Sequence, residues 1–167
     1  LLVEELGQKW HVESDPDDDA PLWLSHRSWL DEGTPSRKNS YRLQFDEHEG
    51  PSGDYDETWF TTLLGAGPNG ATIRVYFWSS SFNTNKRWSK IMAGHEGQLA
   101  RLLDAGFETD AADRLYIPFA LNSETLAKAY ETGNLDDALQ PAHDLVATIK
   151  ESADDLGALI ERDRNLD

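Results

Sequence analysis

The segment from Gly65 to Gly70 spells G-x-G-x-x-G, the pattern of a turn that binds the pyrophosphate of a dinucleotide. That chemistry needs a helix directly after the turn, because backbone N–H groups at a helix N-terminus hold the phosphates. Here the β-prone residues 71–77 follow instead, and no acidic residue occurs between Thr58 and His95 to bind a ribose. The Pro-Asn-Gly sequence within the segment therefore predicts a hairpin turn, and we expect no cofactor.

A run of alternate aspartates near the N-terminus is a second pattern, of the kind that can bind a metal ion. Asp15, Asp17 and Asp19 match the first three ligand positions of a calcium-binding EF-hand loop. The glycine position of that loop is Ala20 and the closing glutamate position is His26, so the pattern indicates a solvated acidic loop. Restriction-type nucleases carry an acid two residues before a lysine, and no lysine of this chain has one. The sequence thus predicts no metal site and no catalytic motif.

Histidine and carboxylate side chains could still meet in three dimensions without a linear motif. His26, Asp46 and His48 are examples of residues that could form such a hydrolase-type site. His95, in contrast, lies on the apolar stripe of a predicted helix and is interpreted as a hydrogen-bonded core residue. An enzyme therefore stays open as an alternative, although the lack of a motif favours a non-catalytic domain.

One stretch differs in charge from the rest of the chain. Residues 58–95 contain four basic residues and no acid, a balance of +4 that leaves −20 elsewhere, since the formal charge is −16. Three of the bases stand at the predicted start of a helix, where unpaired N–H groups and the helix dipole favour an anion. Two aromatic residues flank the same loop and could stack on a base or sugar. The residues predicted to contact an anion or a partner are Arg74, Trp78, Phe82, Asn83, Asn85, Lys86, Arg87 and Lys90.

A purely structural interpretation of the same residues stays open. In it Trp88 belongs to the core, Trp78 covers a sheet, and the bases pair with the abundant surface carboxylates. If the region does bind a polyanion, few phosphates would be neutralised, so binding would be weak and only slightly salt-dependent.

Composition limits the class of protein. The chain has no cysteine, 31 acidic and 15 basic residues, and no apolar run of the roughly 20 residues that a membrane helix needs. A cytoplasmic location away from membranes is therefore expected. Aspartate outnumbers glutamate and lysine is scarce, which favours a halophilic protein that stays soluble in multimolar salt. An acidic protein from an ordinary high-GC bacterium is the alternative.

The elements that must position these residues change in type along the chain. The first ten residues look like the end of a helix, residues 11–20 like an acidic loop, and four strands are predicted over 21–30, 40–46, 58–64 and 71–79. One helix is predicted from Trp88 to about Gly106, then a strand at 115–120. Asn122 or Ser123 caps a short helix, and a long amphipathic stretch interrupted by Pro141 follows.

This order predicts one α+β domain over 1–167, with a largely antiparallel sheet, helices packed on one face and a long C-terminal helix. Because the chain begins with Leu1 and an apolar, helical pattern, we expect it to be an excerpt of a longer protein. The expected contact partners are then the rest of that chain or another protein.

The strand at 39–45, the strong strand at 72–77, the helix that opens with Asn85-Lys86-Arg87-Trp88 and the final long helix form a recognisable succession. It resembles a family of uncharacterised accessory domains in prokaryotic proteins of restriction and other anti-phage systems, commonly placed behind a nuclease. The likeness covers residues 23–162 and carries no diagnostic motif. It implies a non-catalytic role linked to DNA or to a protein partner.

Three functions therefore stand as expectations. The preferred one is an accessory binding module of a larger cytoplasmic protein, with residues 83–90 as its contact surface. The second is a small hydrolase-type enzyme with converging acids and histidines. The third is a structural domain that oligomerises through its C-terminal helix.

Overall fold

The computed structural model describes residues 2–14, 22–30, 41–48, 62–65, 72–82 and 85–166. Six strands in this part of the chain form one sheet in the order β1-β2-β3-β4-β6-β5, and every neighbouring pair is antiparallel. The strands are Trp10–Ser14 (β1), Leu22–His26 (β2), Arg42–His48 (β3), Thr72–Trp78 (β4), Glu108–Thr109 (β5) and Leu115–Phe119 (β6).

Six α-helices accompany the sheet among the described residues. Asn122 caps one of them as predicted, since its Oδ1 accepts a hydrogen bond of 2.8 Å from the backbone N–H of Thr125. The helices are Leu2–Leu6 (α1), Asn85–Met92 (α2), Glu96–Asp104 (α3), Ser123–Thr132 (α4), Asp136–Glu151 (α5) and Ala153–Arg164 (α6). The predicted α+β class, with an antiparallel sheet and C-terminal helices, is confirmed.

Successive side chains of β4 point to opposite faces of the sheet. Ile73, Val75 and Phe77 are buried on one face, where Val75 and Phe77 join Leu145 and Leu156 of the C-terminal helices in a single core. Burying each such side chain contributes about 1.5 to 3 kcal/mol, so this shared core fixes the helices on the sheet.

The other face of the sheet carries stacked arginine and aromatic side chains. The Arg42 guanidinium lies 4.3 Å from the ring centroid of Trp78, and that of Arg74 lies 4.3 Å from the ring centroid of Tyr116. Tyr76 and Tyr116 are each buried, with their ring centroids 5.5 Å apart. Cation–π contacts of this kind contribute about 0.5 to 2 kcal/mol each.

Three local predictions are wrong. The loop predicted at 11–20 begins with strand residues, because β1 pairs with β2 from Trp10↔His26 to Ser14↔Leu22; residues 15–20 lie outside the described part. Residues 62–65 form a helical turn rather than a strand, closed by Gly65, whose φ is +66°. The single helix predicted from Trp88 is two helices, because Gly94 takes φ +86° between α2 and α3. Of the hairpin turn predicted at 65–70, residues 66–70 lie outside the described residues, although the strand predicted after it is present.

The apolar side chains of the last helix, α6, face the core of the domain. Leu156, Leu159 and Ile160 of α6 are at most 1% exposed, so they are covered by the rest of the domain. Pro141 lies inside α5, and α5 and α6 are separated at Ser152. These side chains of α6 are therefore packed within the domain, whereas Leu135, next to α5, is 43% exposed.

Candidate functional site

The exposed side of α2 carries two neighbouring lysines. Lys86 and Lys90 stand four residues apart on one side of the helix and are exposed, while Trp88 and Ile91 are buried on the opposite side. Together with Arg87 and Leu166, the lysines line a surface cavity of about 210 Å³. We call Lys86 and Lys90 the lysine pair.

Arg87 serves a different purpose from its neighbours. Its Nε donates a hydrogen bond of 2.5 Å to the carboxylate of Asp163, and one terminal nitrogen donates a bond of 2.9 Å to the backbone carbonyl of Asp163. The same carboxylate accepts a hydrogen bond of 2.6 Å from Tyr41 and another from the Ser81 hydroxyl. Arg87 therefore fastens α2 to the end of α6, and its charge is compensated inside the domain.

Asp163 is the centre of this cluster and is only 1% exposed. Burial alone would raise the pKa of Asp163, but the hydrogen bonds from Ser81, Tyr41 and Arg87 outweigh burial and hold that pKa below its ordinary value. Burial and the bond to this carboxylate also raise the pKa of Tyr41 well above its usual range. The aspartate is thus a charged, structural residue at neutral pH.

The structure does not bring Arg74 to the lysine pair. Arg74 lies four residues before the end of β4, about 13 Å back along the strand, and stands opposite Asp46 in the register of β3 and β4. Its guanidinium is stacked on Tyr116 and donates to the Tyr76 hydroxyl at 3.3 Å. Asn83 lies outside the described residues, and Asn85 is described only as the first residue of α2.

Trp78 and Phe82 lie beside a second cavity, of about 260 Å³, which we call the aromatic cavity. One wall is formed by rings in mutual contact, since the centroid of Phe82 lies 4.8 Å from that of Trp88 and 5.3 Å from that of Phe77. Trp78 and Ser79 add the end of β4, and Ala112 and Arg114 close the cavity from the loop between β5 and β6. The aromatic residues of the prediction are thus placed together, but at a cavity lined by Arg114 rather than by the lysines.

The loop at residues 110–114 is held rigidly by Asp110. Its carboxylate accepts hydrogen bonds of 2.9 Å from the backbone N–H groups of Ala112 and Arg114 and one of 2.7 Å from Nε of Arg114. The backbone carbonyl of Asp113 accepts a bond of 2.7 Å from the Trp88 indole, and Asp113 is the non-glycine residue of the described chain with a positive φ, +60°. These bonds connect the loop to α2 and fix the position of Arg114.

Of the residues named for an enzyme, His26 lies far from His48. The register Leu24↔Leu43 places His26 level with Tyr41 at one end of β3, whereas His48 stands at the other end, about 23 Å away. In the described residues no three histidine, aspartate or glutamate side chains are grouped to hold a metal ion. Likewise, none of the helices described here is long and apolar enough to cross a membrane.

The chain matches no protein-family model, no curated protein and no solved structure at a significant level. The resemblance to accessory domains of restriction systems therefore stays a prediction.

Two residues of these sites were not singled out from the sequence. Asp163 continues the buried stripe of α6, seven residues after Leu156, so its helical spacing could have shown that an acid faces the core. Arg114 had a local indication in Asp110, four residues before it and next to a strand. Neither position reveals from the sequence which distant side chain it meets.

Proposed function

We propose that this domain is a non-catalytic binding module of a larger protein and that it contacts an anionic partner through the lysine pair. The observation that carries this proposal is the exposure of Lys86 and Lys90 side by side on α2, in the stretch of the chain without acidic residues. The cavity of about 210 Å³ beside them gives an anionic group a place to sit.

The net charge of the domain also favours contact at the lysine pair. With a formal charge of −16, the domain repels a polyanion on average, so contact is confined to the face where cations are not cancelled. Arg87 is paired with Asp163 and Arg74 is stacked on the sheet, which leaves two cations to neutralise phosphates. For a single-stranded nucleic acid the logarithmic salt slope should then be about −1.4.

The proposed larger protein leaves three kinds of anionic partner open. An anionic stretch of that protein, a second protein or a nucleic acid would each satisfy the lysine pair. The resemblance to accessory domains behind nucleases favours a nucleic acid or a protein bound near one. Weak contact through two lysines suits a module whose affinity is supplemented by tethering in the same chain.

The test is the binding of oligothymidylate to the parent and to the double variant Lys86→Ala/Lys90→Ala at matched, low salt. Arg87 is kept, because its removal would leave the buried Asp163 carboxylate without its cation. We expect the double variant to lose at least about tenfold in affinity, since each phosphate contact removed weakens binding at low salt. Fluorescence anisotropy of a labelled oligonucleotide measures this directly.

The matched control is Lys9→Ala/Lys128→Ala, which removes the same charge from two exposed lysines elsewhere. This variant should bind like the parent. Equal losses in the two double variants would show that only net charge matters and would contradict the proposal. No saturable binding by the parent would contradict it as well.

A further inference from the structure

We infer that the aromatic cavity is a binding site for a small planar ring that carries an anionic group. This inference is independent of the lysine pair, because Lys86 and Lys90 do not line the aromatic cavity. It concerns a small molecule rather than a polyanion or a protein surface.

The size and walls of the cavity indicate a ring. Its volume of about 260 Å³ far exceeds the ~10–15 Å³ that one water molecule needs, and it lies just below the range of drug-sized ligand pockets. The contacting rings of Phe77, Phe82 and Trp88 offer a ligand the offset or edge contacts that aromatic pairs prefer.

Arg114 determines which ligand charge the aromatic cavity favours. Its Nε and Nη2 bind Asp110, at 2.7 Å and 2.6 Å, and its guanidinium is stacked on Tyr76 with 4.8 Å to the ring centroid. No hydrogen bond to a described residue occupies its other terminal nitrogen, Nη1. Asp110 offsets the charge of Arg114, but Nη1 keeps polarised N–H donors, which favour a carboxylate or phosphate oxygen over a neutral acceptor.

The cavity is also preorganised. Asp110 fixes the loop through two backbone bonds and one side-chain bond, and Asp113 holds the Trp88 indole from an uncommon left-handed conformation. Strained residues of this kind occur where surrounding structure holds a site in place. A ligand would therefore meet Arg114 and the ring wall already in position, without an ordering cost.

The experiment titrates the protein with indole-3-acetate and with its neutral isostere, indole-3-acetamide, at constant ionic strength. Proton–nitrogen NMR follows the Trp88 indole N–H and the Arg114 Nε–H as local reporters. We expect saturable shifts of both signals with the acid and weaker binding of the amide. Absence of saturable shifts with either probe overturns the inference.

Four variants separate the contribution of the cavity wall from that of the Arg114 guanidinium. Ala112→Leu fills the cavity and should abolish binding of both probes, whereas Ala111→Leu, at the neighbouring exposed turn residue, should leave binding unchanged. Arg114→Gln should weaken the acid about tenfold more than the amide, a ratio that cancels any effect of the lost Asp110 pair on the loop. Arg114→Lys, which keeps the charge beside Asp110, should retain part of the preference for the acid.

Each contrary result counts against the inference. Equal loss in Ala111→Leu and Ala112→Leu would mean that the loop rather than the cavity determines the shifts. An unchanged preference for the acid in Arg114→Gln would remove the assigned role of the guanidinium. The Lys86→Ala/Lys90→Ala variant should bind both probes like the parent, so failure at the lysine pair and failure at this cavity are distinguishable.

Discussion

At the scale of residues, Asp163 shows how one buried charge can join distant parts of a chain. Its carboxylate binds Tyr41 before β3, Ser81 after β4 and Arg87 in α2, three residues between 76 and 122 positions away. Each partner supplies a donor that offsets the loss of hydration. The cluster therefore sets where α2 stands, and with it the direction of the lysine pair.

The variant Asp163→Asn tests this role through pH. At neutral pH it should lower the free energy of unfolding by about 2 kcal/mol, because hydrogen bonds to a charged acceptor are the stronger kind. Since the pKa of Asp163 is lower in the folded protein, its contribution is complete above the unfolded pKa of about 3.9 and is lost as pH falls through the folded pKa.

Urea unfolding of parent and variant at pH 7 and below pH 4 measures the difference. The gap between the two proteins should be largest at pH 7 and should shrink in acid. A gap that is the same at both pH values would show that Asp163 acts through packing alone. Comparing the pair cancels the titration of the surface carboxylates, which the two proteins share.

At the scale of elements, the break between α2 and α3 decides where two helices point. Gly94 adopts φ +86°, and an added Cβ would meet nothing within 4 Å, so backbone conformation alone restricts this position. His95 follows as the N-terminal flanking residue of α3, so its interpretation as a hydrogen-bonded core residue is wrong: the side chain is half-buried and Nδ1 has no hydrogen-bond partner among the described residues. Gly94 N–H donates to the Glu96 carboxylate at 3.2 Å. The break lets α2 meet α6 at Asp163 while α3 meets α6 through the Arg101–Asp155 pair.

Replacing Gly94 and Gly97 by alanine should have opposite effects on the stability of the domain. Gly94→Ala should destabilise the domain by about 1 to 2 kcal/mol, because an L-residue is strained in the left-handed region. Gly97→Ala, inside α3, should stabilise it by about 0.5 kcal/mol, since alanine favours a helix and its Cβ would make an ordinary contact. Thermal unfolding of both variants measures this. Stabilisation by both would indicate that the chain runs as one helix through position 94.

At the scale of the whole molecule, the formal charge of −16 opposes the compact state. Exposed pairs such as Arg101–Asp155 recover little of this, because surface ion pairs typically contribute below about 1 kcal/mol. The core, the Asp163 cluster and the stacked arginines of the sheet must therefore hold the fold against self-repulsion. Salt acts mainly on the repulsion, since it screens exposed charges more than buried ones.

The melting temperature should accordingly rise from low salt to multimolar KCl. If screening is the cause, most of the rise should occur below about 1 M, where the Debye length has fallen to roughly 3 Å. Differential scanning calorimetry over a KCl series measures the effect, and an uncharged osmolyte of equal osmolality provides the control. A melting temperature that is flat or falls with salt would contradict the halophilic interpretation.

The sequence by itself determined the fold class and most of the elements, because these depend on local periodicity. Residues 73–77 alternate between the two faces of a strand, and Leu145, Ile149, Leu156 and Ile160 recur at helical spacing. Both patterns are visible in short stretches of the sequence. The tertiary structure alone decided the two sites. Arg87 pairs with Asp163 and Arg74 stacks on Tyr116, so neither belongs to the predicted cationic cluster. Arg114 lines the same cavity as the predicted aromatic pair, Trp78 and Phe82. The physical reason is that pairing and stacking join residues far apart in the chain, and which charge meets which ring depends on strand register and helix docking.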